Sequence, residues 1–138
     1  MTNLDLTHAL YDAFSRADIA YVLGALDPQV EWNEAENFLY ADGNPYVGPQ
    51  AVLTGVLARL AGEWDGFSAS PEKMIADNDT VACVGRYRGT YKATGNAVNA
   101  QFVHVFTYKD GKIAKFQQYT DTAQFQAAAG QVRSANAS

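Results

Sequence analysis

Apolar residues recur along the chain at two different periods. In the first quarter the period is helical: Leu6, Ala9, Leu10, Ala13 and Phe14 fall on one stripe. Asp18 is placed to cap a second helix in which Ile19, Val22, Leu23 and Leu26 share a face. Asp27-Pro28 ends that helix, because the residue before a proline is driven out of the helical region. Val30, Trp32 and Glu34 then alternate with Glu31 and Asn33, which predicts a short strand with Glu34 on the tryptophan face. The turn-rich stretch 35–48 contains Asp42-Gly43-Asn44-Pro45 and carries Phe38, Tyr40 and Tyr46. It is long for a connection and reads as a lid or rim. Pro49 is pre-set for a first helical turn, and Val52, Leu53, Val56, Leu57 and Leu60 form the stripe of a third helix that ends near Gly62.

Beyond that helix the period drops to two. Residues 67–76, interrupted at Pro71, and residues 80–91, 97–108 and 112–120 read as strands. Thr94-Gly95-Asn96 and Asp110-Gly111 are the turns between the long ones, the second a strong hairpin signal. The tail, 123–138, is small and polar and reads as a weak helix that frays. Helices first and antiparallel strands afterwards define an α+β fold, one domain over 1–138 with its core at about 5–125. Phe102 and Phe106 lie on one face of their strand, Val103 and Val105 on the other. A sheet apolar on both faces is covered on both. The helices cover one face, and a second copy packed sheet to sheet is expected on the other.

Composition narrows the function. At 48% hydrophobic and 18% charged residues the chain is globular and not disordered. A net charge of -5, with ten Lys and Arg scattered along the sequence, provides no basic stripe for a phosphate backbone or an anionic membrane. Neither nucleic acid nor membrane is an expected partner. The single Cys83 sits in the apolar run Val81–Val84 and reads as a buried thiol. One cysteine and two separated histidines offer no metal-ligand pattern, so neither metal nor cofactor is expected. Residues 1–5 lack a positive leader and an apolar run, no stretch has the length of a membrane span, and the cytoplasm is the expected location.

His104 is the sharpest chemical feature. Strand alternation puts it on one face with Phe102 and Phe106, where an imidazole is either a satisfied core group or a poised proton carrier. Pairing across Asp110-Gly111 brings Gln118 within reach of that face, to bond either a ligand or the backbone. Glu34 is a general-base candidate with a raised pKa if the Trp32 face points inward, and a solvated acid if it points outward. Trp32, Tyr46, Trp64, Tyr87, Phe102, Phe106 and Phe116 offer the aromatic surface that suits a small apolar organic ligand. Arg86 and Arg88 fall opposite Tyr87, and the hairpin register decides which set meets the pocket.

The segments Asp18-Ile19, Val30-Glu31-Trp32, Gly48-Pro49, Phe102-Val103-His104-Val105-Phe106, Asp110-Gly111-Lys112-Ile113 and Phe116-Gln117-Gln118-Tyr119 resemble the ketosteroid isomerase-like and SnoaL-like families of the nuclear transport factor 2-like superfamily. The resemblance spans about residues 5–125. It implies a cone-shaped curved sheet wrapped around three N-terminal helices, a hydrophobic ligand at the mouth, and dimers. It places His104 where the isomerase has the protonated acid of its oxyanion hole, and Trp32 at or beside the isomerase's base, leaving Glu34 as the nearest substitute. The isomerase's oxyanion tyrosine falls on Leu10, with Tyr11 turned away. His104 also matches the histidine of the SnoaL-like polyketide cyclases, whose aspartate is replaced by Gln118. The Arg and two Asp of limonene-type epoxide hydrolases have no match.

The reading that follows is cofactor-free acid–base chemistry of isomerase, cyclase or dehydratase type on an apolar carbonyl compound. Glu34 takes the proton, His104 stabilises the oxyanion and Gln118 orients the substrate. Two alternatives stay open: a non-catalytic binding protein for a small hydrophobic ligand, and an interaction protein working through the open sheet face.

Overall fold

Thr2 starts the first helix with a capping box: its hydroxyl accepts from Asp5 N at 3.1 Å and the Asp5 carboxylate accepts from Thr2 N at 3.0 Å. In the computed structural model, which describes residues 1–130, this helix is α1 (Asn3–Ser15). The expected fraying of the tail over 131–138 lies outside the described residues. Asp18 caps α2 (Ile19–Gly24), accepting from Tyr21 N at 3.1 Å. That helix stops short of the expected Leu26, because Leu26 already belongs to β1 (Leu26–Asn33) and lies in register with Ile113. Pro28 falls where the ladder is irregular, between Leu26 and Glu31, and its missing N–H breaks no regular pairing there.

After β2 (Tyr46–Val47) a continuous helical run covers residues 49–63: α3 (Pro49–Val52), a π turn (Leu53–Leu57) and α4 (Ala58–Glu63). Gly55, inside the π turn, lies against the Tyr46 ring, where a Cβ would collide with it. The strands β3 (Trp64–Asp77), β4 (Thr80–Tyr91), β5 (Ala97–Lys109) and β6 (Lys112–Thr120) follow, then α5 (Thr122–Ala128). β3 runs through Pro71 with a register shift beside it; as an edge strand it tolerates the lost donor.

The six strands form one sheet in the order β2-β1-β6-β5-β4-β3. Every pairing is antiparallel except β1 with β6, which is parallel. That pairing joins residues more than 80 positions apart, so no local turn signals it. The inner face carries Val81, Cys83 and Tyr87 of β4, Phe102, His104 and Phe106 of β5, and Phe116 and Gln118 of β6, all buried. On the outer face Val84, Val103 and Val105 are only partly covered, and Tyr119 and Ile75 are exposed.

The stretch expected as a lid or rim is built as a wall. Phe38 and Tyr40 are buried in it, and the Tyr40 hydroxyl donates to Glu63 Oε1 at 2.5 Å while accepting from Trp64 Nε1 at 3.1 Å. Arg59 lies over the Tyr40 ring and grips Asp42 through two bonds of 2.8 and 3.1 Å. At the far end of the core Phe125 of α5 is fully buried against Phe38, Trp64 and Tyr87. No helix among the described residues is long and apolar enough to cross a membrane.

Candidate active site

Between the inner sheet face and the helices lies a small cavity of about 70 Å³. Leu10, Tyr11 and Phe14 of α1 and Val56, Leu57 and Leu60 of the third helical run close one side; Trp32, Phe106 and Phe116 pave part of the other. The lining residues with polar side-chain atoms are Tyr11, Trp32, Glu34, Tyr87, His104 and Gln118. A few convergent polar groups in an apolar cleft are what fixes the orientation of a small ligand.

Glu34 follows β1 directly and is 3% exposed. Burial raises its carboxyl pKa from 4.5 to about 8, against smaller downward pulls from the Trp32 indole N–H, 3.3 Å from Oε2, and the Arg59 charge. The inward alternative for this face therefore holds. Asn44 clamps the backbone on both sides: its Oδ1 accepts from Glu34 N at 2.9 Å and its Nδ2 donates to Glu34 O at 2.8 Å. A carboxyl titrating near neutrality and held at a fixed place in an apolar wall has the properties of a general base.

His104 stands directly opposite Gln118 in the β5–β6 register and opposite Cys83 in the β4–β5 register. Its ring stacks on Phe102, with centroids 4.0 Å apart. Burial lowers its pKa from 6.5 to about 3, so the imidazole is neutral throughout the physiological range. Both ring nitrogens are occupied: Nδ1 is 2.5 Å from the Tyr11 hydroxyl, and Nε2 meets the Tyr87 hydroxyl in a shorter bond. The expected role of His104 as the group touching an oxyanion does not match this geometry, since no ring atom is left over. Tyr11 and Tyr87, whose hydroxyls it holds, line the cavity with it.

Gln118 is likewise committed to the protein. Its Oε1 accepts from Ala35 N at 3.0 Å and its Nε2 donates to the Tyr87 hydroxyl at 2.9 Å. It bonds both backbone and side chain, and holds Tyr87 rather than a substrate. Burial pushes both Tyr11 and Tyr87 far above the ordinary phenol pKa, so each remains a protonated hydroxyl.

Of the residues expected to contact a ligand, Trp32, Tyr87, Phe106 and Phe116 line the cavity, and Trp32 stacks on Phe116 with centroids 3.8 Å apart. Three do not reach it. Phe102 folds over Gly85, its cross-strand partner, where any Cβ would strike the ring. Tyr46 wedges between Gly43 and Gly55 and donates to Tyr40 O at 2.6 Å. Trp64 points to Tyr40 and Phe125. The register puts Tyr87 inward and Arg86 outward, where Arg86 bonds Asn99; Arg88 is exposed.

Tyr11 is the residue the sequence reading placed wrongly. It is 6% exposed and faces the sheet because it belongs to the inward stripe of α1, with Thr7, Leu10 and Tyr11 buried and Phe14 partly buried, and the polar Thr7 bonds Tyr108. Spacing of three and four from Phe14 back to Leu10, Tyr11 and Thr7 carried the signal. The hydroxyl of Thr7 masked it.

The SnoaL-like domain family matches residues 7–116. Among solved structures, an NTF2-like protein from Burkholderia thailandensis is 33% identical, with 94% of this chain and 98% of that one covered and a TM-score of 0.89. An NTF2-like protein from Burkholderia pseudomallei is 25% identical, with 93% and 98% covered and a TM-score of 0.84. TerC, co-crystallised with polyporic acid, is 26% identical over 93% of this chain and 98% of its own, at a TM-score of 0.81. No curated protein matches the chain.

Proposed function

The chain belongs to the SnoaL-like domain family, and from that premise we propose that it is a cytoplasmic enzyme that moves a proton on a small apolar carbonyl compound without a cofactor. One observation carries the reading: Glu34, with a pKa of about 8, is the carboxyl in a cavity whose other polar groups are neutral. In the ionised form Glu34 removes a proton from the carbon next to a carbonyl. The electron pair of that C–H bond moves into the new C=C bond and the carbonyl π electrons move to oxygen. The Tyr11 hydroxyl donates a hydrogen bond to that oxygen, and the protonated Glu34 returns its proton to carbon. A base of this kind is worth about 100- to 10,000-fold in rate, and one oxyanion donor about 100- to 1,000-fold. The polyporic acid co-crystallised with TerC supports a small organic compound as the class of occupant.

Hydrogen–deuterium exchange tests this without knowledge of the natural substrate. A bicyclic ketone such as 2-tetralone in D₂O should exchange its α-protons faster with the protein than without it. Glu34→Gln should abolish the gain while still binding the ketone, read by quenching of tryptophan fluorescence. Binding with no exchange in the native protein would contradict the enzyme reading and favour a ligand carrier.

We also propose that two copies pack sheet to sheet. Cross-strand rows on the outer face, Ile75-Ala82-Val105 ending at Gln117 and Val84-Val103-Tyr119 ending at Lys73, form a mainly apolar surface with polar ends that a second copy would cover.

A further inference from the structure

A single file of hydrogen bonds runs from the residue after the base to the first helix, and its direction follows from its first member. The Ala35 N–H can only donate, so the Gln118 oxygen faces it, at 3.0 Å. The Gln118 Nε2 then faces the Tyr87 hydroxyl at 2.9 Å and donates to it. Beyond lie the two nitrogens of His104 and, 2.5 Å from Nδ1, the Tyr11 hydroxyl. A neutral imidazole carries one N–H and one bare nitrogen. With the proton on Nε2, the Tyr87 oxygen would receive two donors, and its own buried proton would find no acceptor among the bonds it makes. With the proton on Nδ1, Tyr87 donates to Nε2 and Nδ1 donates to Tyr11. The Tyr11 proton is then left to the neighbouring Cys83 thiol, a weak acceptor, and to the cavity.

We propose that Gln118 is a positioning residue that sets this direction, holding His104 as the Nδ1–H tautomer so that Tyr11, and not Tyr87, presents a hydroxyl proton to the substrate oxygen. Only the last step rests on the proton-transfer reading; the direction of the file does not. Because Glu34 and Ala35 are adjacent, one short segment holds the base and aligns the donor.

The experiment is ¹⁵N-histidine NMR, in which long-range ¹H–¹⁵N correlations report which ring nitrogen bears the proton. His8, the other histidine, is exposed and supplies the second signal. His104 of the native protein should show the Nδ1–H pattern across the neutral and alkaline range. In Gln118→Glu the side chain acts as a donor while protonated and leaves the pattern unchanged. Once ionised, it accepts from Tyr87, and the file should reverse to the Nε2–H pattern. Exchange catalysed by that variant should then fall about 100- to 1,000-fold, the loss of one oxyanion donor. An Nε2–H tautomer in the native protein would overturn the proposal, with or without a folded variant. Reversal of the tautomer with exchange undiminished would overturn the role of Tyr11. Loss of exchange in the native protein, with the tautomer as stated, would overturn the proton-transfer reading alone.

Discussion

The indole Nε1–H of Trp32 donates to Oε2 of Glu34 at 3.3 Å, and the same tryptophan ring stacks on Phe116. Trp32 lies on β1 and Glu34 directly follows it, so the group that makes the pocket wall apolar also supplies the bond that stabilises the carboxylate. Trp32→Phe keeps the stacking and deletes the bond. The Glu34 pKa should rise further above about 8, and exchange at neutral pH should fall roughly three- to tenfold, the effect of a shift of up to one pKa unit. Raising the pH should restore it. A pH–rate profile unchanged from native would contradict the assignment.

Removing the donor and removing its holder should have different consequences. Tyr11→Phe leaves the packing of α1 on the sheet in place and should lower exchange about 100- to 1,000-fold with ligand affinity little changed. His104→Phe strips the Tyr11 and Tyr87 hydroxyls of their shared partner in a buried site. It should cost about 1–3 kcal/mol of stability for a hydroxyl left unpaired, measurable by urea unfolding. Native stability in His104→Phe would argue that the imidazole does not hold the tyrosines.

Two buried groups shape the dependence of stability on pH, with opposite signs. Glu34 titrates at about 8 in the fold and near 4.5 unfolded, so between those values the folded state holds the extra proton and stability falls as pH rises. His104 titrates at about 3 in the fold and near 6.5 unfolded. Across that window the unfolded state holds the extra proton, and stability rises with pH. Each slope is at most about 1.4 kcal/mol per pH unit. They cancel where they overlap, between 4.5 and 6.5. Urea midpoints should therefore trace a broad maximum there and fall away on both sides, and Glu34→Gln should remove the alkaline fall. A maximum centred near pH 8 would contradict the burial of Glu34.

Covering the outer sheet face requires a partner copy in the account given above. Val103→Asp places a charge at the centre of that face, opposite Val84 and Tyr119. Light scattering after gel filtration should give a dimer for the native protein and a monomer for the variant, with the pocket still able to bind. A native monomer would remove the sheet-to-sheet dimer.

Local chemistry was readable where one turn or one cap controlled the outcome. Asp110-Gly111 fixed the β5–β6 pairing that sets His104 against Gln118, and Asp18 marked the start of α2. Alternation separated Tyr87 from Arg86 and Arg88, but which set faces inward depended on the β4–β5 register, which buries Tyr87 and turns Arg86 out. The roles within the cavity were not readable, because they depend on contacts far apart in sequence. His104 meets a tyrosine 93 positions away and another 17 away, and these bonds leave its ring no free atom for a substrate. Tyr46 and Trp64 are aromatic in the right region of the chain, yet two glycines and the Tyr40 hydroxyl hold them elsewhere. The parallel β1–β6 pairing, which places Trp32 beside Phe116, is non-local in the same way.

The ionisation of Glu34 can be followed directly by ¹³C NMR of its carboxyl carbon in selectively labelled protein. The account requires a single titration with a midpoint near pH 8. A midpoint near 4.5, the value of a solvated glutamate, would show that the carboxyl is not sequestered in the cavity wall and would remove the base from the proposed reaction.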